Sequence, residues 1–494
     1  MTRHDLLEGR HRGLCWVAVA WGLLLAAPAM AQAPSSPAAQ PGPGPDRGSL
    51  PATPETQQAT TPGQFEQKAG FTGPLWDRAN LLGDPGGLRS LLFGRGITLG
   101  LSETAEVLGN ASGGIRRGAA FEGLLQVTLG IDAEKLLGLP GGTLNATAFQ
   151  IHGRGLSQNN LGNLQTISSI EAQRGTLLFE LWYEQKLLGD ALSIRVGQMA
   201  ADQEFIRSEY GGLFLNSTFG WPAIASATLP SGGAAYPLGT PGVRVRVAPR
   251  VGLAFLAAVF NGDPSGPGPG TPQERNPSGA AFRLRDGVFA IVEAQATVGS
   301  KAGLAGTYKL GGYYNSNRGP KLQGDALDQA LSESGGNGLG ASRRNLWGIY
   351  AVGDQLVWRP KEGEGGVGVF GRIAGAPGDR SLVNFYLNAG VSWKAPFASR
   401  DNDSVGLAVS YARIGDTARK LDSDTAFLTG GAYPRRQAET VLELSYQAQI
   451  APWWQVQPDF QYVFDLGGGV PNPNRPGRRL GDATVFGLRT NVAF

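Results

Sequence analysis

Ala483-Thr484-Val485-Phe486-Gly487-Leu488-Arg489-Thr490-Asn491-Val492-Ala493-Phe494 closes the chain. Val485, Gly487 and Arg489 share one face of an extended segment. Phe486, Leu488, Asn491 and Phe494 do not keep one strict parity, but apolar and polar residues otherwise interleave at the two-residue period of a strand. A strand that stops on an aromatic residue has two readings. It is the C-terminal edge of a soluble sheet, or it is the closing strand of an outer-membrane barrel, whose terminal Phe494 would be read by the barrel-insertion machinery.

The opposite end of the chain favours the second reading. Arg10, His11 and Arg12 form a basic start, Trp16 to Ala27 an apolar core, and Ala29-Met30-Ala31 a small-x-small cleavage site, the three parts of a secretory signal. The apolar core is shorter than the ~20 residues of a membrane-spanning helix, so residues 1–31 are predicted to be removed before Gln32. The single cysteine, Cys15, lies within that segment, which leaves no disulfide or thiolate metal site in the mature chain. His4 and His11 leave with the signal, and His152 remains as the one mature histidine.

Composition narrows the class. The chain of 494 residues holds 75 glycines and three methionines, and its glycine share is about twice the usual ~7%. The formal charge is +3; removing Arg3, Arg10 and Arg12 with Asp5 and Glu8 leaves +2, a balance that points to no nucleic-acid partner. Residues 32–64 are rich in Pro, Ala, Ser, Thr and Gln and are expected to be a disordered leader. Residues 65–96 are expected to form a periplasmic segment or plug with one short helix. There Asp84 is placed to cap, Pro85 suits the first helical position, and Leu88, Leu91 and Leu92 share a face.

From Ile97 to Phe494 the two-residue alternation recurs in about sixteen segments: 97–110, 120–132, 143–154, 175–187, 191–199, 242–248, 250–262, 286–299, 304–315, 345–358, 366–375, 383–394, 403–414, 437–450, 453–464 and 482–494. An even number suits a bacterial barrel. The connections separate by length. The odd-numbered ones, among them 155–174, 200–241, 263–285, 316–344, 415–436 and 465–481, are mostly long. The even-numbered ones are short: 188–190, a turn at Pro249, 300–303, 359–365 and a turn at Pro452. A few connections blur the rule; 133–142 is long for a turn and 376–382 short for an outside loop. Long loops on one side and tight turns on the other are the habit of a transmembrane antiparallel β-barrel, and this parity brings Phe494 out on the short-turn side. The predicted fold is therefore all-β.

Strand chemistry agrees. In Val243-Arg244-Val245-Arg246-Val247 the valines are predicted to face lipid and the arginines a wet lumen. Arg195 is predicted inward on Leu192 to Val196. His152 and Arg154 are assigned to one polar inward face. Trp347, Tyr350, Trp358, Tyr386, Trp393, Tyr411, Tyr446, Trp453, Trp454 and Tyr462 fall near strand ends, where barrels carry aromatic girdles.

Six stretches carry a resemblance. They are Leu82-Gly83-Asp84-Pro85-Gly86-Gly87-Leu88-Arg89, Glu106-Val107-Leu108-Gly109-Asn110, Leu181-Trp182-Tyr183-Glu184-Gln185, the run from Val196 through Asp202-Gln203-Glu204-Phe205, Tyr236-Pro237-Leu238-Gly239-Thr240-Pro241-Gly242, and the run from Pro452 to Tyr462. In this order, from about Leu81 to Phe494, they resemble the OprB-type carbohydrate-selective outer-membrane porins. The resemblance implies a 16-stranded barrel that passes small sugars, glucose-type monosaccharides first among them, and that resides in the outer membrane of a Gram-negative bacterium. Two features depart from the family pattern: Glu103, where the first strand's outer face is expected to carry an aromatic, and the Pro-rich leader.

A selective porin needs a narrowing that holds its solute weakly. Segment 200–241 is too long for a structureless connector and is the candidate fold-in loop, carrying Asp202, Glu204, Arg207, Glu209, Trp221 and Tyr236. The constriction is assigned to Asp202, Glu204 and Arg207 from the loop, with Arg154, Glu180, Arg195, Arg244 and Arg246 on the facing wall. Carboxylates and arginines exchange hydrogen bonds with sugar hydroxyls; each of these residues is also readable as a plain solvated charge. No catalytic residue, metal or cofactor is expected. A lipase would have only His152 for a base, and no spacing marks a catalytic carboxylate pair. The alternatives are a porin for anions or aromatic acids, favoured by the arginine-rich wall, an outer-membrane enzyme, and an adhesion barrel. Expected partners are sugars as transported solutes, outer-membrane lipids, the insertion machinery and a homo-oligomer.

Overall fold

The computed structural model describes residues 70–299, 303–319, 344–360, 365–428, 430–431 and 433–494. The predicted signal 1–31, the whole predicted leader 32–64, residues 65–69 and the greater part of loop 316–344 lie outside these. Sixteen strands pair in sequence order, every pair antiparallel, and the last pairs with the first to close the ring. They are β1 Ile97–Ser112, β2 Gly118–Asp132, β3 Gly142–Gly153, β4 Gly175–Leu187, β5 Leu192–Met199, β6 Thr240–Arg250, β7 Leu253–Asn261, β8 Val288–Val298, β9 Gly306–Arg318, β10 Arg344–Trp358, β11 Gly366–Gly375, β12 Val383–Lys394, β13 Ser404–Ile414, β14 Ala438–Ala451, β15 Trp454–Phe464 and β16 Ala483–Ala493. A ribbon of Pro471–Asn472 with Arg475–Arg479 sits in the last long loop.

Each predicted segment is a barrel strand, and the loop-length rule holds for most of the ring; on the long side 113–117 and 376–382 are shorter than the turn-side connections 133–141 and 395–403. One turn moves. Pro249 stays inside β6, and the chain reverses at Val251-Gly252. Gly252 has φ +79°, and a Cβ there would lie 2.7 Å from the Thr297 carbonyl, so the two-residue turn needs glycine.

The outer surface is an apolar belt. Val243 and Val247 of β6 are exposed while Arg244 between them is buried, as the alternation predicts. Val259, Val292, Leu310, Ile349 and Leu407 also point outward and are exposed. A ring of exposed aliphatic side chains would be unfavourable in water and is stable against lipid. Trp347, Trp358 and Trp393 are exposed on this surface. Tyr350 and Tyr386, placed in the same girdles by the sequence, are instead buried inside the barrel, where their hydroxyls find partners described below.

The seam between β1 and β16 is strapped by residues 70–96. Leu81 N donates to Ala493 O at 2.8 Å, Arg89 Nη2 to Phe494 O at 2.7 Å, and Phe494 N to Leu101 O at 2.8 Å. Trp453 Nε1 donates to Leu75 O at 2.8 Å, and its ring stacks between Trp76 and Trp454. The short helix is Leu88–Gly94, with a 3-10 turn at Pro85–Gly87 before it. Asp84 Oδ1 accepts from Arg89 N and Ser90 N at 2.8 and 3.3 Å, so it serves the helix from beyond that turn rather than from the N-cap. Leu88 and Leu91 are exposed. The segment is a clasp on the seam, not a plug in the lumen.

Candidate functional site

Residues 200–239, between β5 and β6, run inside the barrel. A backbone withdrawn from bulk water must have its N–H and C=O groups paired, and the wall supplies the partners strand by strand. Ile206 N donates to Glu293 of β8 at 2.9 Å, Asn216 N to Glu443 of β14 at 3.1 Å, and Gln457 of β15 donates to Leu213 O at 2.7 Å. Arg372 of β11 donates to the carbonyls of Thr218, Phe219 and Gly220 at 3.3, 2.8 and 3.4 Å. Tyr386 OH donates to Thr218 O and Tyr350 OH to Glu293, each at 2.9 Å. These contacts explain why the two tyrosines point inward.

The apolar side of the loop packs the same wall. Phe205, Ile206, Trp221, Ile224 and Leu229 join Leu256, Phe260, Phe289 and Tyr313 in one buried cluster. Each such side chain contributes about 1.5–3 kcal/mol when withdrawn from water. The preceding long loop, 154–174, folds in as well. Leu164 N and Gln165 N donate to Glu439 at 2.7 Å, and Ser169 N and Ser217 N tie the two loops together through Leu215 O and Thr166 O. Both loops therefore pack inside the barrel and set what stays open.

At the root of the longer loop four charges meet. The tight turn after β4 pairs Leu187 with Leu192 and so places Glu184 opposite Arg195; β5 and β6 then place Arg195 opposite Arg244. Glu204 arrives from the loop. Arg195 Nη2 lies 2.7 Å from Glu184 Oε2 and its Nη1 2.7 Å from Glu204 Oε1. Arg244 Nη2 donates to Glu184 Oε1 at 3.0 Å and to Glu204 Oε1 at 2.8 Å. Arg244 Nε is 2.7 Å from Glu204 Oε2, an ion contact rather than an aligned hydrogen bond. The result is a square of two cations and two anions with no net charge. Arg195 stacks 3.8 Å above the Trp182 ring, and Ser193 Oγ accepts from Arg244 Nη1. Glu204 is the most accessible corner, with 20% of its side chain exposed, against 4% for Arg244.

The remaining assigned residues are dispersed around this square. Glu180 supports it from behind, accepting from Ala200 N at 3.0 Å and Trp182 Nε1 at 3.3 Å. Arg246, two residues along β6 on the lumenal face, is half-buried. Asp202 turns into its own loop and accepts from Tyr236 N at 2.9 Å and Gln203 Nε2 at 3.0 Å. Burial pushes its carboxyl above the ordinary aspartate range, and those two donors pull it partly back. Arg207 donates to Gln203 O at 3.1 Å, and Lys309 donates to Arg207 O at 2.8 Å. Arg154 lies just past the end of β3, exposed, and donates to Ala119 O at 3.1 Å.

Sequence reading missed Glu184, although the hairpin turn that pairs it with Arg195 was legible. It also missed a buried group further round the wall, on β16, β1 and β2. There Arg489 donates to Glu106 at 2.6 Å and to the hydroxyls of Ser168 and Ser169 at 3.2 and 3.3 Å, and Glu122 sits opposite Glu106 in register.

His152 overturns its assignment. On β3 the buried, inward residues are Asn145, Thr147, Phe149 and Ile151, so His152 faces outward. Its Nε2 is 3.2 Å from Glu103 and its Nδ1 3.0 Å from Gln150 Oε1. The inference from polarity fails because the lumen beside β3 is not wet. Phe149 and Ile151 pack there with Ile170, Phe179 and Tyr236 from β4 and the infolded loops.

Residues 116–494 match the family described as "Carbohydrate-selective porin, OprB family". Porin B of Pseudomonas aeruginosa is 24% identical over 433 residues, covering 84% of this chain and 91% of that protein. A putative porin, QuiX, of Acinetobacter baylyi is 23% identical over 449 residues, covering 85% and 94%. Among solved structures, the high-pH structure of Pseudomonas putida OprB superposes with a TM-score of 0.70 at 20% identity, covering 84% of this chain and 98% of that one. The low-pH structure of the same protein gives 0.52.

Proposed function

The chain belongs to the carbohydrate-selective porin family OprB, and from that premise we propose that it passes small sugars passively across the outer membrane through a constriction built on Glu184, Arg195, Glu204 and Arg244. The observation that carries this reading is the neutral ion square where the infolded loop meets the wall. A sugar brings hydroxyls that donate to the carboxylates and accept from the guanidinium groups, replacing the water it sheds. A simple ion entering the same gap loses hydration and gains less, because each charge there is already paired. Arg246, Glu180, Asp202 and Arg207 flank or brace the narrowing, and Arg154 belongs to its outer approach. The protein works as a channel, with no chemical step.

The test is a liposome uptake panel combined with single-channel recording. Monosaccharides are expected to enter faster than anions of similar size and to reduce ion current when added. A second reading, a channel for small anions, is favoured by the exposed Arg475, Arg478 and Arg479 in the last long loop. Anion uptake exceeding sugar uptake, with no block by sugars, would establish it instead.

A further inference from the structure

The long-loop ends of β2, β3 and β4 each carry an arginine. Arg117 immediately precedes β2, Arg154 immediately follows β3 and Arg174 immediately precedes β4, and all three are exposed. Long loops mark the extracellular side of an outer-membrane barrel, so these residues stand at the edge of the outer leaflet. Arg154 keeps the strand register one step beyond β3. Its backbone N donates to Phe121 O at 2.8 Å, and its Nη2 crosses to Ala119 O at 3.1 Å, which draws the guanidinium along β2 toward Arg117. Arg154 continues the outward parity of His152. The pairing of Gly175 with Ile151 sets Arg174 across from His152, so Arg154 and Arg174 are diagonal neighbours, about 7–8 Å apart.

No acid answers these cations. Among the described residues none of the three has an ion pair. The acids in the adjoining loops are engaged elsewhere: Glu171 accepts from Ser157 N and Oγ at 3.0 and 2.7 Å, Glu274 from Thr271 N at 2.7 Å, and Asp482 from Asp465 N at 2.9 Å. Glu103, deeper in the belt, is paired with His152. Other arginines of the long loops stand beside a carboxylate: Arg283 beside Asp286, Arg380 beside Asp379, and Arg436 beside Asp422. The sector β2–β4 therefore presents concentrated positive charge, where like charges lying close together are unfavourable unless an anion joins them.

We propose that this arginine edge binds the phosphate groups of an outer-leaflet glycolipid, on the lipid side of the wall and separate from the ion square. Guanidinium groups bind phosphate oxygens in pairs of parallel hydrogen bonds, and clustered basic residues at a membrane surface attract anionic headgroups. The wall just below suits the rest of such a lipid. Val107 of β1 and Phe121 of β2 pair there and are both exposed, and Ala119 pairs with Gly109 one step higher. An acyl chain packs against the raised Val107–Phe121 edge while the headgroup lies over the low strip beside Arg117. A free phosphate ion gains none of that apolar contact, and this is why the surface is assigned to a lipid.

The test uses the full chain, purified in detergent and shown by heat modifiability to be a folded barrel, in native mass spectrometry. The probe is bis-phosphorylated lipid A, set against the same glycolipid with both phosphates removed and against inorganic phosphate. The parent is expected to retain the bis-phosphorylated form about tenfold more strongly than the dephosphorylated one, ~1.4 kcal/mol, and to retain no inorganic phosphate. Arg117→Gln with Arg174→Gln is expected to lower retention of the bis-phosphorylated form by about tenfold. Arg475→Gln with Arg478→Gln, which removes exposed charge from the last long loop, is expected to keep it. Equal retention of the two glycolipids, undiminished retention in the folded Arg117 and Arg174 double variant, or an equal loss in the Arg475 and Arg478 double variant would overturn the proposal. Retention of inorganic phosphate matching that of the lipid would overturn it too, in favour of a free-anion site. Should the first double variant fail the heat-modifiability check, Arg174→Gln alone is read against the same outcomes.

Discussion

Replacing Glu204 with glutamine removes one anion from the square and leaves the shape of the loop. The parent network holds Glu184 and Glu204 against Arg195 and Arg244. In Glu204→Gln the two guanidinium groups face Glu184 alone, and one positive charge is uncompensated beside the most accessible corner. The amide still accepts from Arg195 and Arg244, and the loop remains held by Glu293, Arg372 and Glu443, so the barrel is expected to fold. A unit charge acts on an ion ~4 Å away with about 1 kcal/mol in a water-like dielectric and about 4 kcal/mol at an effective dielectric of 20. The lower figure suits a position whose side chain is 20% exposed. One kcal/mol raises local anion occupancy about fivefold and lowers cation occupancy by about the same factor. The assay is the reversal potential across a planar bilayer under a KCl gradient, read alongside the sugar-induced drop in current. The variant is expected to shift toward anions, less so at ~1 M salt, where the screening length is ~3 Å, and to be blocked more weakly by sugars. An unchanged reversal potential together with unchanged block would place the square outside the solute path and refute the constriction assignment.

Three further outcomes follow from the contacts. Arg372→Met removes the donor shared by the Thr218, Phe219 and Gly220 carbonyls; losing bonds to a charged group at about 1.5–3 kcal/mol is expected to free the loop apex and raise both single-channel conductance and current noise, and a quiet, unchanged channel would show the apex is held elsewhere. Asp202 binds its proton more tightly in the folded chain, because burial raises its carboxyl; that contribution to stability is complete below the unfolded value of about 3.9 and is lost as pH rises through the folded one. Asp202→Asn, neutral throughout, is therefore expected to gain apparent melting temperature on the parent as pH is raised from about 4 to about 8, and a difference independent of pH would contradict the burial argument. Deleting Phe494 is expected to lower barrel assembly with export intact, whereas Arg89→Leu, which loses the bond to the folded terminus and the contact with the Phe71 ring but keeps Phe494, is expected to assemble normally; normal surface levels of the truncated chain would remove Phe494 as the insertion signal.

What the sequence made legible was whatever depends on one segment at a time. Val243 to Val247 alternates as lipid and lumen require, and the structure places those residues so. Connection lengths alone gave the sidedness of the loops, and the length of 200–241 alone gave a segment that turns inward. Contacts between distant segments were not legible. Arg195 and Arg244 stand side by side, but forty residues of infolded loop separate the two strands, and no local pattern says that Glu204 rather than Asp202 would reach them. Asp202 instead meets Tyr236 N, near the far end of the same loop.

The misreading of β3 has a specific cause. Assigning polar residues to the lumen assumes a lumen full of water. Here the loops bring Ile170 and Tyr236 against Phe149 and Ile151, so the inner face of β3 is a packed core towards its end and the hydropathy of its two faces is inverted there, while Asn145 and Thr147 keep the inner face polar further back. The same inversion leaves His152 facing outward with Glu103, the residue that departs from the expected aromatic on β1. Those two anomalies are one feature. An acid on β1 and a histidine on β3, separated by a glycine on β2 that lets the ring lie flat, compensate each other across three strands. Each looks misplaced when its own strand is read alone. A barrel with loops packed inside it can place polar groups on its outer wall where they pair with one another, as Glu103, His152 and Gln150 do here.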